Sequence, residues 1–180
     1  KLQSHGGKAR FAREQLLSQL VQHPNIVQFY EAGEWGAVSY IACEYVKGRT
    51  VDEAFAKESP DLALGAILRI GIDLFRALDY LLWLGITHRG INPTTVLVTE
   101  DSDGRIVAKL TDFGQARRLR TSAPLTGHAA ISVESLYVSP EQLDGAAKLH
   151  ASADVYSVVA TLFFALTGVE PVESPGRETE

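Results

Sequence analysis

Phe11, Leu16, Leu17, Leu20 and Val21 recur at helical spacing within residues 8–22, while Arg10, Arg13 and Glu14 keep part of that surface charged. The spacing predicts a helix, and His23-Pro24-Asn25 predicts its end. Residues 26–30 and 37–43 are β-rich runs separated by Gly33 and Gly36, which predicts a hairpin. Lys47-Gly48-Arg49 reads as a break, and Thr50-Val51-Asp52-Glu53 as a capping box that starts a helix. Residues 62–84 carry the strongest helical pattern: Arg69, Asp73, Arg76 and Asp79 recur every three or four positions among almost entirely apolar neighbours. That predicts one narrow wet face with the rest buried, and Gly85 as the stop. Short strands are expected at 96–99 and 106–110, around Asp103-Gly104. Residues 115–134 have weak periodicity and many Ser, Thr and Ala, so they read as a long loop. Residues 154–167 are apolar nearly all round, which predicts a helix central to the core and closed by Gly168. Strands early and helices late predict an α+β fold rather than a parallel α/β sheet.

Composition narrows the function classes. The 180 residues suffice for one domain with a real core, and 46% apolar with 22% charged residues are globular values. A net charge of −5 gives no basic field to draw nucleic acid or an anionic membrane. The one cysteine, Cys43, excludes an internal disulfide and a cysteine-based zinc site, which fits a reducing, cytoplasmic setting. Lys1 opens no signal peptide. The apolar run over 155–166 is interrupted by Ser157 and Thr161 and is too short to span a bilayer. The absence of methionine leads us to expect a piece of a longer chain.

Four short strings then fall in order: Glu14 on the first helix, His88-Arg89-Gly90, Asp112-Phe113-Gly114, and Ser139-Pro140-Glu141. Each alone is weak. Together, with the predicted elements between them, they resemble the signatures of the protein-kinase superfamily. His23-Pro24-Asn25-Ile26-Val27 resembles the stretch after the kinase αC helix, and Glu44-Tyr45-Val46-Lys47-Gly48 the hinge. Tyr137-Val138-Ser139-Pro140-Glu141-Gln142 resembles the end of the activation segment in bacterial Ser/Thr kinases, and Asp154-Val155-Tyr156-Ser157 the start of the buried αF helix. The resemblance runs from about Lys8 to Gly168 and implies a bilobal fold in partial form. Residues 1–46 would belong to the small lobe and 47–180 to the large lobe, ending after αF.

The resemblance also implies roles. Glu14 would pair with a phosphate-gripping lysine, for which Lys1 is a candidate at short spacing; it also fits an exposed helix carboxylate. Backbone groups of Glu44 and Val46 would face adenine, Cys43 would be a small buried gatekeeper, and Leu97 would form the floor. Asp112 would hold Mg²⁺ against the phosphates of ATP, a hard oxygen ligand beside a movable Phe-Gly. Phe113 would pack toward His88 and Phe29, and Ser18 would weaken the apolar column there. Arg89 would meet a phosphate on Thr121, Ser122, Thr126 or Ser132, or else a nearby carboxylate or carbonyl. Asp154 would hold the backbone of the catalytic loop.

The departures bear on function. The family's catalytic loop has an aspartate, a lysine and an asparagine where this chain has Gly90, Asn92 and Thr95. Glycine can neither orient a substrate hydroxyl nor accept its proton. Asn92 is neutral and shorter than lysine, and Thr95 is a poorer metal ligand. Val133-Glu134-Ser135 replaces the Gly-Thr-Pro expected before the activation-segment aromatic. Three readings follow: a pseudokinase acting on a protein partner or on other domains of its own chain; an active Ser/Thr kinase with relocated chemistry, using Asp112 or Glu134; and a nucleotide sensor.

Overall fold

The computed structural model describes residues 11, 14–36, 38–55, 64–118, 136–143 and 150–171. Helix α1 covers 14–18 and gives way to a turn at 19–20, earlier than the expected residue 22. Leu17 and Val21 enter the core, whereas Leu16 and Leu20 face outward, so half of the apolar stripe is buried. Ile26 does not belong to the following hairpin. The backbone on either side of it is committed to Leu110, with Val27 N–H donating to the Leu110 carbonyl (2.9 Å) and Leu110 N–H to that of Asn25 (2.9 Å).

The hairpin is β1 (Phe29–Trp35) paired antiparallel with β2 (Val38–Cys43), turning at Gly36 with φ 61°. Strand β1 runs straight through Gly33 because the Tyr40 ring lies across it; a Cβ there would come within 2.8 Å of the Tyr40 hydroxyl. A three-stranded sheet follows in the order β3 (Arg49–Thr50), β5 (Val96–Glu100), β6 (Ile106–Leu110). Helix α2 (Val51–Phe55) starts from the expected capping box: Thr50 Oγ1 accepts from Glu53 N–H (3.1 Å) and Glu53 Oε2 from Thr50 N–H (3.0 Å).

Helix α3 (Leu64–Trp83) lies on β6 and ends at Gly85 in the left-handed region. Its burial corrects the expected pattern. Asp73 is only 1% exposed and accepts from Ala108 N–H at 3.2 Å, while Leu64, Leu68, Ile72 and Phe75 are exposed. The acid is drawn inward by a strand amide that needs an acceptor, and Arg69 and Arg76 reach it from the rim (3.5 Å each). The core lies between α3 and the sheet and is built from Ile70, Leu74, Leu81, Val96, Ala108 and Leu110.

Strand β4 (Ile86–Thr87) pairs with β7 (Arg117–Arg118), so the start of the expected long loop is a 3₁₀ turn (Phe113–Gln115) and a short strand. Residues 119–135 lie outside the described residues. A short helix α4 (Pro140–Leu143) precedes α5 (Ser152–Thr167), which closes at Gly168. Helix α5 is not buried all round: Val155, Val159, Phe163 and Leu166 are exposed. Its inner face is Ala153, Asp154, Ser157, Thr161 and Phe164, a face that packs closely because its residues are mostly small. The architecture is the expected α+β arrangement, strand-rich at the start and helical later.

Candidate functional site

The loop after β4 is held from outside. Asp154, at the start of α5, accepts from His88 N–H through Oδ2 and from Arg89 N–H through Oδ1, both at 2.7 Å. These bonds reach across 66 and 65 residues and fix the loop to the helical core. Burial pushes the Asp154 carboxyl up, against the opposing pull of His88, Arg89 and the two N–H donors. Burial lowers His88. Its Nε2 faces the Thr111 carbonyl (3.1 Å) and its Nδ1 receives Gly90 N–H (3.3 Å). A carbonyl partner needs a proton on Nε2 and an amide partner needs a lone pair on Nδ1, so the ring is neutral.

Arg89 sits at φ 67°, a conformation uncommon for a side-chain-bearing residue. Its Nε donates to Thr87 Oγ1 (3.3 Å). Its carbonyl accepts from Gln142 Nε2 (3.2 Å), while Gln142 Oε1 accepts from the Ser139 hydroxyl (3.2 Å). The Ser139-Pro140-Glu141-Gln142 string therefore braces the loop through its glutamine. Tyr137, just before it, packs edge-on to Phe164 with centroids 6.2 Å apart. Burial pushes its phenol up to about 12.

The rest of the loop closes on itself. Asn92 Nδ2 donates to the Gly90 carbonyl (3.2 Å), and Asn92 Oδ1 accepts from the Thr94 N–H (2.8 Å) and hydroxyl (2.7 Å). Thr95 Oγ1 accepts from Asn92 N–H (3.0 Å) and points its proton between the Gly90 and Asn92 carbonyls, each 3.1 Å away. Asn92 is 4% exposed and Thr95 6%. Both side chains bond to backbone or to Thr94, all within five residues.

Beyond β6 the chain reaches Asp112 at φ 63°. Its Oδ1 accepts from Gly114 N–H (3.0 Å), which caps the 3₁₀ turn and orients the half-buried carboxylate. Phe113 meets the His88 ring edge-on, with centroids 4.9 Å apart, as expected. Among the described residues no three carboxylate, histidine or cysteine groups gather into a metal site. Asp112 fits Mg²⁺ as one carboxylate working with phosphate oxygens. Thr95 Oγ1 donates its proton to the loop backbone and accepts from Asn92 N–H, which leaves it one lone pair and makes it a poor second ligand.

Glu44 and Val46 follow β2 outside any regular element, and Gly48 N–H donates to the Val46 carbonyl (2.9 Å). The Glu44 carboxylate faces Lys109 Nζ, with both oxygens at 2.8 Å, and Oε2 also accepts from Gln28 N–H (3.2 Å). Lys109 pairs with Leu97 across the β5–β6 ladder, so Glu44, Leu97 and the strand leading to Asp112 form one connected unit. A cavity of about 230 Å³ beside it is lined by residues including Ile26, Gln28, Glu44 and Lys109. Cys43 is exposed, contrary to the expectation of a buried gatekeeper. Among the described residues β2 pairs with β1 alone, which leaves that end of the strand open.

Comparison with known proteins agrees with this geometry. The family model described as "Protein kinase domain" matches residues 1–180. The chain belongs to the protein kinase family. The kinase domain is 34% identical over 166 residues to "Serine/threonine-protein kinase PknB" of Mycobacterium leprae, covering 90% of this chain and 26% of that protein. It is 36% identical over 166 residues to "Probable serine/threonine-protein kinase PknB" of Lactococcus lactis, covering 92% and 25%. Over 164 residues it is 34% identical to "Serine/threonine-protein kinase PknJ" of Mycobacterium tuberculosis, covering 91% and 27%. It thus spans about a quarter of the length of these relatives.

Within this kinase domain, Arg89, Gly90, Asn92 and Thr95 share one loop, with Asp112 two residues past β6 and joined to it through the Thr111 and Phe113 contacts to His88. Leu97, Glu44 and Val46 are grouped through Lys109, and Glu14 lies half-buried on α1. Lys1, Thr121, Ser122, Thr126, Ser132 and Glu134 lie outside the described residues. Sequence reasoning missed Gln142, Lys109, Asp73 and Gln115. The first three act through backbone groups or charges on distant elements, and no local pattern announces them. Gln115 stands out only by its place directly after Asp112-Phe113-Gly114.

Proposed function

We propose that this kinase domain is a pseudokinase: a regulatory or binding module that acts on a protein partner or on other domains of its own chain. The observation that carries the reading is the closed loop from Gly90 to Thr95. Position 90 has no side chain, and the side chains at 92 and 95 are spent on the loop itself. No group there is free to take a proton from a substrate hydroxyl, a contribution worth about 10²–10⁴ in rate. None carries positive charge to offset the moving phosphate.

The nucleotide half of the pocket is proposed to persist, with ATP and Mg²⁺ held weakly. Asp112 is assigned the metal, Glu14 the ion pair, the Glu44 and Val46 backbone the adenine edge, and Leu97 the floor. A bound Mg²⁺ would screen the phosphate charge. Residues 1–46 are assigned to the small lobe and 47–180 to the large lobe, and the setting to the cytoplasm. Arg89 is assigned to a phosphate on Thr121, Ser122, Thr126 or Ser132. No helix among the described residues is long and apolar enough to cross a membrane.

The alternative is an active Ser/Thr kinase whose base is Asp112 or Glu134. Similarity to proteins named as serine/threonine kinases, together with the intact His88–Asp154 frame, favours it. The deciding test is transfer of labelled γ-phosphate by the full-length protein, to itself and to a basic protein acceptor. The pseudokinase reading expects background transfer that Gly90→Asp, Asn92→Lys and Thr95→Asn together raise. High wild-type transfer abolished by Glu134→Gln would overturn it. Thermal shift with ATP, with and without Mg²⁺, tests the sensor reading; no stabilisation in either condition removes it.

A further inference from the structure

Gly90 stands where the family carries its catalytic aspartate, but the space beside it is not empty. An ideal Cβ on Gly90 would lie 3.3 Å from Gln115 Nε2, 3.4 Å from its Cδ and 3.5 Å from its Cβ. The side chain of Gln115 is therefore laid along the face of Gly90 from which a side chain would project. The backbone of Gly90 does not account for the glycine: unlike Gly85 and Gly168, it has no positive φ. Its carbonyl is held by Asn92 and Thr95 and its N–H by His88, so the loop cannot easily back away.

Gln115 is also anchored. It ends the 3₁₀ turn that Asp112 caps, and Ala116 N–H closes that turn on the Phe113 carbonyl (3.0 Å). Arg117 Nη1 donates to the Gln115 carbonyl (3.3 Å) and the Ala116 carbonyl (3.0 Å). The turn thus fixes the Gln115 backbone beside the catalytic loop, and its side chain lies against Gly90.

We propose that Gln115 is a built-in plug of the phosphoryl-acceptor subsite. Its carboxamide fills the seat of the missing carboxylate and keeps a protein hydroxyl out of it. The plug rests on the pseudokinase reading, yet it makes a separate claim: restoring the side chains at 90, 92 and 95 recovers only part of the transfer while Gln115 keeps the seat. A neutral carboxamide is also a poor proton acceptor, so the occupant does not replace the chemistry it displaces.

The test is a double-substitution cycle on the full-length protein, read first by thermal unfolding. Gly90→Ala adds one methyl group. With Gln115 in place the methyl meets Nε2 at 3.3 Å, so the carboxamide must give way by a few tenths of an ångström, and Tm is expected to stay level or fall by about 1–2 °C. With Gln115→Ala the nearest groups are gone and the remaining Cβ is at ordinary contact distance. The same Gly90→Ala change should then leave Tm level or raise it by about 1–3 °C, since alanine restrains the unfolded chain. An identical Tm change in both backgrounds overturns the plug. The second readout is labelled phosphate transfer. Adding Gln115→Ala to the variant with Gly90→Asp, Asn92→Lys and Thr95→Asn is expected to raise transfer at least about threefold. A measurable rate that Gln115→Ala leaves unchanged overturns the proposal while leaving the pseudokinase reading intact. High transfer by the wild type sinks that reading instead.

Discussion

The catalytic loop has two halves that are held in opposite ways. His88 and Arg89 take their bonds from Asp154, on a helix 65 or more residues away, and from Thr111 and Gln142. The side chains of Asn92 and Thr95 take theirs from within residues 90–95. The first half is a frame: buried, charge-assisted, and joined to three separate elements. The second half is a knot whose side chains bond only within the loop. In a transferring kinase the second half must present side chains to substrate. Here the same stretch has turned its polar atoms inward. On the proposed pseudokinase reading the frame is kept because it stabilises the domain, which presenting groups would not do.

That contrast can be broken by substitution. The largest effect is expected from Asp154→Ala, which orphans two buried N–H groups and should cost about 3–5 kcal/mol in urea unfolding. A loss below about 1 kcal/mol would mean that the frame is not what holds the loop. Next come Asn92→Ala and Thr95→Ala, each expected to cost about 1–2 kcal/mol. Because both donate to the Gly90 carbonyl, each single variant leaves that carbonyl one partner while the double variant orphans it, so the double should cost more than the sum, and strict additivity would show that the knot is not one network. Neither should change phosphate transfer, whereas either would in a working active site.

Lys109→Ala should cost about 1 kcal/mol, since the Lys109–Glu44 pair is only partly buried, with side chains 17% and 26% exposed. Its readout is loss of any ATP-induced thermal shift, because the pair joins the hinge to the strand that leads to Asp112. The smallest effect is a pH slope. The His88 pKa is depressed by burial from its ordinary 6.5, so the unfolded chain binds the extra proton first. Stability should rise with pH through the window below 6.5 and be lost as pH falls through it. His23, also lowered by burial, adds in the same sense. The raised Asp154 carboxyl opposes both, favouring the protonated fold above its ordinary 3.8. Scanning Tm from pH 7.5 to 5.5 should show a fall of about 1–3 °C that His88→Asn flattens.

Much of this domain could be read from the chain because the reading depended on neighbours in sequence. The capping box at Thr50 and Glu53, the stops at Gly85 and Gly168, and the turn before β6 are all short-range arrangements. The family strings were legible for the same reason, as was the absence of an aspartate at position 90. Periodicity failed where burial was decided by a partner. Helical spacing puts Asp73 on the wet face of its helix, yet the strand amide of Ala108 draws it into the core. Val155, Val159 and Phe163 were expected inside but lie exposed, because the inner face of α5 is the small-residue face that can approach α3 closely.

The chain itself carried the family, the order of elements and the missing catalytic side chains, since residue identity and local spacing suffice for those. Tertiary structure decided how the gap is filled: Asn92 and Thr95 turn inward, and the side chain of Gln115 lies across Gly90. Those outcomes depend on contacts between segments that meet only after folding, where packing and the satisfaction of buried polar groups choose among side-chain positions that sequence leaves open.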